Sequence, residues 1–411
     1  MPGGTWLERA QLAFFRAFFT LLLGFIAVAE WATLAWVLGQ AGFGLPIGVH
    51  LAAPVAVFLL NRTVLARRRP LGRMAARALR FYAGVAFTTI FCGLFLGLAS
   101  LAWAMAHAAA TPVGVVLGSV LPHGLAPVAT RAFVTAVNLG LGSIAGLFLV
   151  GYTAGQRRLV TTRLTVPVAG LPPALDGFRI VQISDLHIGQ YLDRVELAAH
   201  VARVNALTPD LVCITGDLVD RADTCALAFP VLAGLRARHG VLATLGNHDV
   251  GAGADAVTSA LRRLTSFTVL RDARIDLAVG DARLTVVGLD DLGLDWARGA
   301  PEHPALPGLV AAHPLGDALV VLSHRPDCFP HAARCGATLV LSGHTHGGQL
   351  GLPTWPGGRV RNLAEFITRY DRGRFTLGTA TLYVNRGLGF TGQRIRLFTP
   401  REITYLELQC A

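Results

Sequence analysis

The sequence predicts two units of different class. An all-α transmembrane domain of about four helices covers residues 1–156, a linker covers 157–174, and an α/β domain covers 175–411. Three observations carry this division. Apolar residues and excess basic charge concentrate in the first part. Short apolar runs alternate with helical stretches in the second. Five of those runs end in Asp, Asn or His.

The totals point to a membrane before any element is assigned. Of 411 residues, 53% are hydrophobic and 15% charged, and the mean hydropathy is +0.52. An ordinary soluble enzyme is less apolar than this. Four stretches, at 15–38, 43–60, 81–106 and 132–152, are long enough or nearly so to cross a hydrocarbon core of ~30 Å, which takes ~20 helical residues. The first is longer than a signal-peptide core and shows no cleavage site, so it is expected to stay. Glu30 inside it is costly in lipid and is expected to face the helix bundle or an interface. The apolar stretch 111–127 is broken by Pro112, Pro122 and Pro127 and reads as an external or re-entrant connection.

Charge sets the expected orientation. The net charge is +11. Residues 1–163 hold 13 Arg against Glu8 and Glu30, while 164–411 balance 23 Arg with 23 acids. The excess therefore belongs to the apolar part, which argues for membrane orientation and against a nucleic-acid groove. "NRTVLARRRPLGRMAARALR" (61–80) carries seven Arg and no acid, and "GQRRLVTTR" (155–163) three more. Arg-rich short loops stay in the cytoplasm, and with four spans both clusters fall on that side. A multi-pass inner-membrane protein is expected, with its N-terminus, the 61–80 loop and everything after 157 cytoplasmic. The six cysteines show no C-x-x-C pair and read as small buried hydrophobes.

After Arg163 the pattern changes. "FRIVQIS" (178–184), "DLVCITG" (210–216), "GVLATLG" (240–246), "RLTVVGL" (283–289), "ALVVLS" (318–323) and "ATLVLSG" (337–343) read as strands, with a final pair near 381–385 and 403–409. Helices are expected at 193–207, 225–238 and 252–264. Apolar runs this dense fit strands covered on both faces. Asp185 and His187 follow the first run, Asp217 the second, Asn247, His248 and Asp249 the third, His324 the fifth, and His344 and His346 the sixth. The carboxyl ends of strands in such a sheet face one crevice.

Carboxylate, amide and imidazole donors without thiolate suit Mn, Fe, Zn or Mg. Seven or eight ligands are too many for one open site and fit two divalent ions sharing a carboxylate. Two such ions ~3.5–4 Å apart acidify a bridging water and clamp a phosphoryl group. Gly343, Gly347 and Gly348 around the two late histidines would then leave room for a substrate.

The motifs Asp185-x-His187, Gly216-Asp217-x-x-Asp220, Gly246-Asn247-His248-Asp249, an isolated His324 and Gly343-His344-x-His346 occur in that order. Together they resemble the calcineurin-like metallophosphoesterase superfamily over about 175–410. The resemblance implies a four-layer αββα sandwich of two mixed sheets. It implies that Asp185, His187 and His346 hold one metal, that Asn247, His324 and His344 hold the other, and that Asp217 bridges. It also implies that His248 faces the substrate as acid or charge stabiliser, with Asp249 behind it. Every position of the pattern is filled.

"SGHTHGGQ" and "VNRGLGFTGQRIRLFTPREITYLEL" resemble a branch of membrane-associated bacterial phosphoesterases, some of which cleave the pyrophosphate of UDP-2,3-diacylglucosamine in lipid A synthesis. The implied activity is hydrolysis of a phosphodiester or pyrophosphate by a metal-bridging hydroxide, with a lipid-linked substrate and the bilayer as partners. The alternatives are the same chemistry on a soluble nucleotide or phosphoprotein, and a non-catalytic membrane sensor of metal or phosphate. Arg386 and Arg394 are candidates for phosphate contact or for salt bridges. Asp220 is expected to support its loop, and Asp290 and Asp291 to lie on a surface loop.

Overall fold

A computed structural model describes residues 6–65, 73–117, 125–189, 191–292, 299–311, 318–352, 354 and 360–411. The chain divides into two compact units, Met1–Leu149 and Val150–Ala411.

The first unit is built from α1 (Trp6–Gln40), α2 (Ile47–Leu65), α3 (Arg73–Leu117) and α4 (Leu125–Val150). Segments Ala17–Gln40, Ile47–Val64, Met74–Ala108 and Pro127–Gly155 are each long and apolar enough to cross a membrane. Small residues let the helices approach: a Cβ on Gly93 would lie 2.6 Å from Ala29 Cβ. Glu30 faces other helices, accepting a hydrogen bond from Asn61 Nδ2 at 2.7 Å, and Tyr82 donates to Asn61. The stretch 111–127 departs from the expected connection. Residues 111–117 continue α3 past Pro112, and residues 118–124 lie outside the described ones.

The second unit begins with a π-helical turn, Gly151–Gly155. Its strands are β1 (Leu159–Val168), β2 (Arg179–Ile183), β3 (Leu211–Thr215), β4 (Val241–Thr244), β5 (Thr268–Val269), β6 (Ala273–Val279), β7 (Ala282–Gly288), β8 (Leu319–Leu322), β9 (Leu339–Ser342), β10 (Gly351–Leu352), β11 (Arg361–Asn362), β12 (Gly373–Leu377), β13 (Ala380–Val384) and β14 (Arg401–Cys410). One six-stranded sheet runs β1-β14-β2-β3-β4-β5 and a second β12-β13-β9-β8-β7-β6. Both are mixed. In the first, β14 is antiparallel to β2, while β2, β3, β4 and β5 are parallel. In the second, β13, β9, β8 and β7 are parallel, with β12 and β6 antiparallel at the edges.

The sequence period explains the layers. Ile180, Leu211, Cys213 and Leu242 of the first sheet face Val286, Val320, Leu339 and Leu341 of the second in one core. Alternate residues of the first sheet, such as Val181 and Ile183, pack under α5 (Arg194–Asn205), α6 (Cys225–Leu232) and α7 (Asn247–Leu264). Val287, Val321 and Val340 pack under α8 (Leu306–Val310) and α9 (Phe329–Arg334). The result is a four-layer αββα sandwich. Strands buried on both faces read as continuous apolar runs, as these do. Leu341 is fully buried; truncation of such a side chain costs ~2–5 kcal/mol. All six cysteines are free.

One boundary differs from expectation. Residues 157–174, expected as a linker, contribute β1, which pairs in parallel with β14 from Leu159–Arg401 to Val168–Cys410. Its Thr and Arg residues lie half in solvent, so no unbroken apolar run marks the strand.

Candidate metal centre

Five strand ends meet at one end of the sandwich, three from the first sheet (β2, β3, β4) and two from the second (β8, β9). Buried Gln182 joins the sheets beneath them, donating to Thr215 Oγ1 and to the Ser342 carbonyl, each at 2.9 Å. Above it lie the sequence-predicted donors. Asp185, His187 and His346 form one group, and Asp217, His324 and His344 another. Asp217 also groups with His187 and His248.

The distances show how closely the groups interlock. His187 Nε2 lies 3.0 Å from His346 Nε2, which lies 3.5 Å from Asp185 Oδ1. A single oxygen, Asp217 Oδ2, is 3.6 Å from His187 Nε2 and 3.2 Å from His324 Nε2. Asn247 Oδ1 is 3.2 Å from His324 Nε2. Asp217 therefore stands between the groups. The Thr215 carbonyl faces His324 Nδ1 at 2.8 Å and Asp220 Oδ1 faces His187 Nδ1 at 2.7 Å, so each ring presents its Nε2 to the cluster.

Backbone geometry is unusual here. Asp185, His187, Asp217, His344 and His346 all have positive φ, between 44° and 70°. Residues with a Cβ adopt this region at a cost of order 1–3 kcal/mol, and only where the surroundings hold them. Glycines supply the space. A Cβ on Gly343 would lie 2.2 Å from Asp185 Oδ2, one on Gly246 2.2 Å from Asp217 Oδ1, and one on Gly216 2.6 Å from His324 Nδ1. Gly343 thus makes room for a ligand rather than for substrate, and Gly348 (φ 71°) for the backbone of Leu363 and Ala364.

The electrostatics fit a site that holds cations. Asp185 and Asp217 are buried together. Burial, with Asp217 beside it, raises the Asp185 carboxyl above its usual range. Burial opposes ionisation of Asp217 too, but His324 and His187 outweigh it and hold Asp217 well below that range. Burial likewise opposes charge on His324, yet Asp217 and Asp185 lift it to about 10. A cation at this point would satisfy both carboxylates and release that imidazole as a neutral ligand. Hard and borderline donors, a shared carboxylate oxygen and glycines that leave only ligand-sized gaps all fit two divalent ions.

His248 and Asp249 part company. His248 is on the wall of a cavity of about 260 Å³ that Asp217, Asn247, His344 and His346 also line. Its Nδ1 lies 2.8 Å from Asp220 Oδ1, the oxygen that also holds His187. Burial lowers the His248 imidazole, but the Asp220 bond and Asp217 reverse this and raise it. The expected partner, Asp249, points elsewhere. It accepts from the Leu218, Val219 and Gly246 N–H groups at 3.0 Å. As the third residue of α7 it reaches back to the helix start, as N3 carboxylates do. The carboxylate behind His248 is thus Asp220, visible in sequence only as the last residue of Gly216-Asp217-x-x-Asp220.

The remaining candidates lie outside the cluster. Arg386 pairs bidentately with Glu402, and Arg394 with Glu196 at 2.9 Å. Asp290 pairs with Arg271, and Asp291, side chain 3% exposed, with Arg325 at 2.7 Å. Asp291 thus lies in the loop after β7, half-buried, with its side chain turned inward.

The fold and the site together define a metal-dependent phosphoesterase. Residues 178–348 match the family described as calcineurin-like phosphoesterase. The chain is 35% identical over 261 residues to the uncharacterized metallophosphoesterase YkuE of Bacillus subtilis, covering 61% of this chain and 85% of that protein. It is 30% identical over 285 residues to the UDP-2,3-diacylglucosamine pyrophosphatase LpxG of Chlamydia trachomatis, covering 56% and 83%. It is 31% identical over 283 residues to a transmembrane protein with metallophosphoesterase domain of Bos taurus, covering 66% and 60%. The chain belongs to the calcineurin-like phosphoesterase family, whose members use a binuclear metal site.

Proposed function

We propose that this protein hydrolyses a phosphodiester or pyrophosphate bond of a lipid-linked substrate at the cytoplasmic face of the inner membrane. Asp185, His187 and His346 would hold one divalent ion, Asn247, His324 and His344 the other, and Asp217 both. When bound, such a pair acidifies a shared water and neutralises charge on a phosphoryl group. Asp220 holds His248 through Nδ1, which leaves Nε2 to hand a proton to the departing oxygen. In this assignment His248 is left to face the cavity, which favours a catalytic site over a non-catalytic sensor.

The observation that carries the substrate class is the cavity beside the donors. Its lining combines the polar donors with the apolar Leu363, Ala364 and Ile367. Phe366, on the same short helix, is 83% exposed. An amphiphile would use both kinds of lining. The four apolar helices and the likeness to LpxG support the reading, and UDP-2,3-diacylglucosamine is the first candidate.

The test uses full-length protein in mixed micelles with UDP-2,3-diacylglucosamine, a phosphatidyl diester or a soluble UDP-sugar at equal concentration. Faster turnover of either lipid is expected. Faster turnover of the UDP-sugar would overturn the lipid reading. With the preferred substrate, Asp217→Ala should lose activity and most bound metal. His248→Ala should keep both metals and lose ~10²–10⁴ in rate, the range for a general acid.

A further inference from the structure

Among the described residues, Arg396 is the largest fully buried side chain. Its guanidinium is held by main-chain oxygens: Nη1 donates to the His346 carbonyl at 2.8 Å, and Nη2 to the Gly389 carbonyl at 2.7 Å. Nη2 also lies 3.3 Å from His346 Nδ1. Among the described residues no carboxylate pairs with it at ion-pair distance, and its Nε has no partner. Burying a cation this way is costly. An apolar side chain of equal volume would fill the space at less cost, so the fork of donors has a purpose beyond packing.

That purpose lies on the two sides of the residue. On one side is His346, a proposed ligand at φ 51°, a backbone state that persists only where its surroundings hold it. On the other is the π-helical turn Gly151–Gly155 that ends the fourth apolar segment. Arg396 N donates to the Gly151 carbonyl. A Cβ on Gly155 would lie 1.9 Å from the Arg396 carbonyl oxygen, and one on Gly151 2.8 Å from Ile395 Cγ1. The turn therefore rests directly on the Ile395–Arg396 backbone. Single π turns are rare and concentrate at functional sites.

We propose that Arg396 is a positioning residue for the metal centre, tying the His346 backbone to the turn that ends the fourth apolar helix. The inference rests on the binuclear reading given above. It means that residues 151–155, which touch no ligand, help set the metal affinity of the site.

Full-length protein in detergent micelles is stripped with chelator and titrated with Mn²⁺ by calorimetry, with bound metal counted by mass spectrometry. Arg396→Gln should weaken one of the two Mn²⁺ sites by roughly 10–100-fold, the range for loss of a group that orients a ligand. Arg396→Lys should recover part of this, because an ammonium can donate to one carbonyl but lacks the fork. Gly155→Ala should weaken the same site, since its Cβ must displace the Arg396 carbonyl. Gly146→Ala, whose Cβ would meet nothing within 4 Å, should leave both sites unchanged. A merely structural role would lower thermal stability and spare the difference between the sites. If Arg396→Gln does not fold, Gly155→Ala decides. Two wild-type sites kept intact in Gly155→Ala, or in a folded Arg396→Gln, would overturn the proposal alone. Wild-type protein that binds none of Mn²⁺, Fe²⁺, Zn²⁺ and Mg²⁺ would overturn the metal reading and the proposal with it.

Discussion

Replacing Asp249 by Ala separates a loop-holding carboxylate from a catalytic one. The side chain is fully buried and accepts from three main-chain N–H groups, those of Leu218, Val219 and Gly246. Each buried donor left without a partner costs ~1–3 kcal/mol. The substitution also relieves a buried charge, since burial and then Asp217 push this carboxyl up to about 7. The low end of the summed range, about 3 kcal/mol, is therefore expected. For a domain of this size that corresponds to a fall in Tm of about 6–12 °C. Thermal unfolding of the full-length protein in detergent, without added metal, measures it. A Tm within about 2 °C of wild type, together with turnover reduced a hundredfold, would refute the argument. It would mean that Asp249 acts on His248 after all.

Asp220→Ala should behave in the opposite way. It leaves Tm near wild type, because the side chain is 23% exposed, and lowers metal affinity or turnover by ~10–100-fold; assays of both on purified protein check this. His200 predicts an acid-sensitive fold. Burial and Arg401 lower its pKa from 6.5 to about 4, so its contribution is present above pH 6.5 and lost as pH falls toward 4. Between pH 7.5 and 5 this amounts to about 2 kcal/mol, and His200→Asn should flatten that part of a denaturation-versus-pH curve. The Arg distribution predicts that alkaline phosphatase fused after Thr130 is active and after Gly170 silent. The reverse pattern would place the catalytic unit outside the cytoplasm.

The donors were legible because each follows an apolar run. Apart from Gln182, Thr215, Thr244 and Ser342, the last four residues of strands β2, β3, β4, β8 and β9 are apolar, so the runs stand out before Asp185, Asp217, Asn247, His324 and His344. What sequence adjacency could not show is direction. Asp249 follows His248 in the chain, but the first turn of α7 aims its carboxylate back at the Gly246 and Leu218 N–H groups. Asp220 lies far from His248 in sequence and 2.8 Å away in space. Strand β1 was hidden for another reason. Thr161, Thr162 and Arg163 interrupt its apolar pattern, and its place depends on β14, far along the chain. Arg396 carried no local signal at all, because its partners are main-chain carbonyls contributed by three separated segments.

The position of β14 bears on how the protein is made. It is not an edge strand: it lies between β1 and β2, with Leu159 opposite Arg401 on one side and Arg179 opposite Glu407 on the other. During synthesis β1 emerges directly behind the last apolar helix and must wait for residues 401–410 before it has a neighbour. Contacts this distant in sequence close slowly, and an unpaired strand is prone to mispairing meanwhile. The β1-β14-β2 part of the first sheet therefore assembles late, after translation has passed every proposed ligand. A ribosome stalled short of residue 401 would present β2, β3 and β4 with an open edge, although every proposed ligand had already been made.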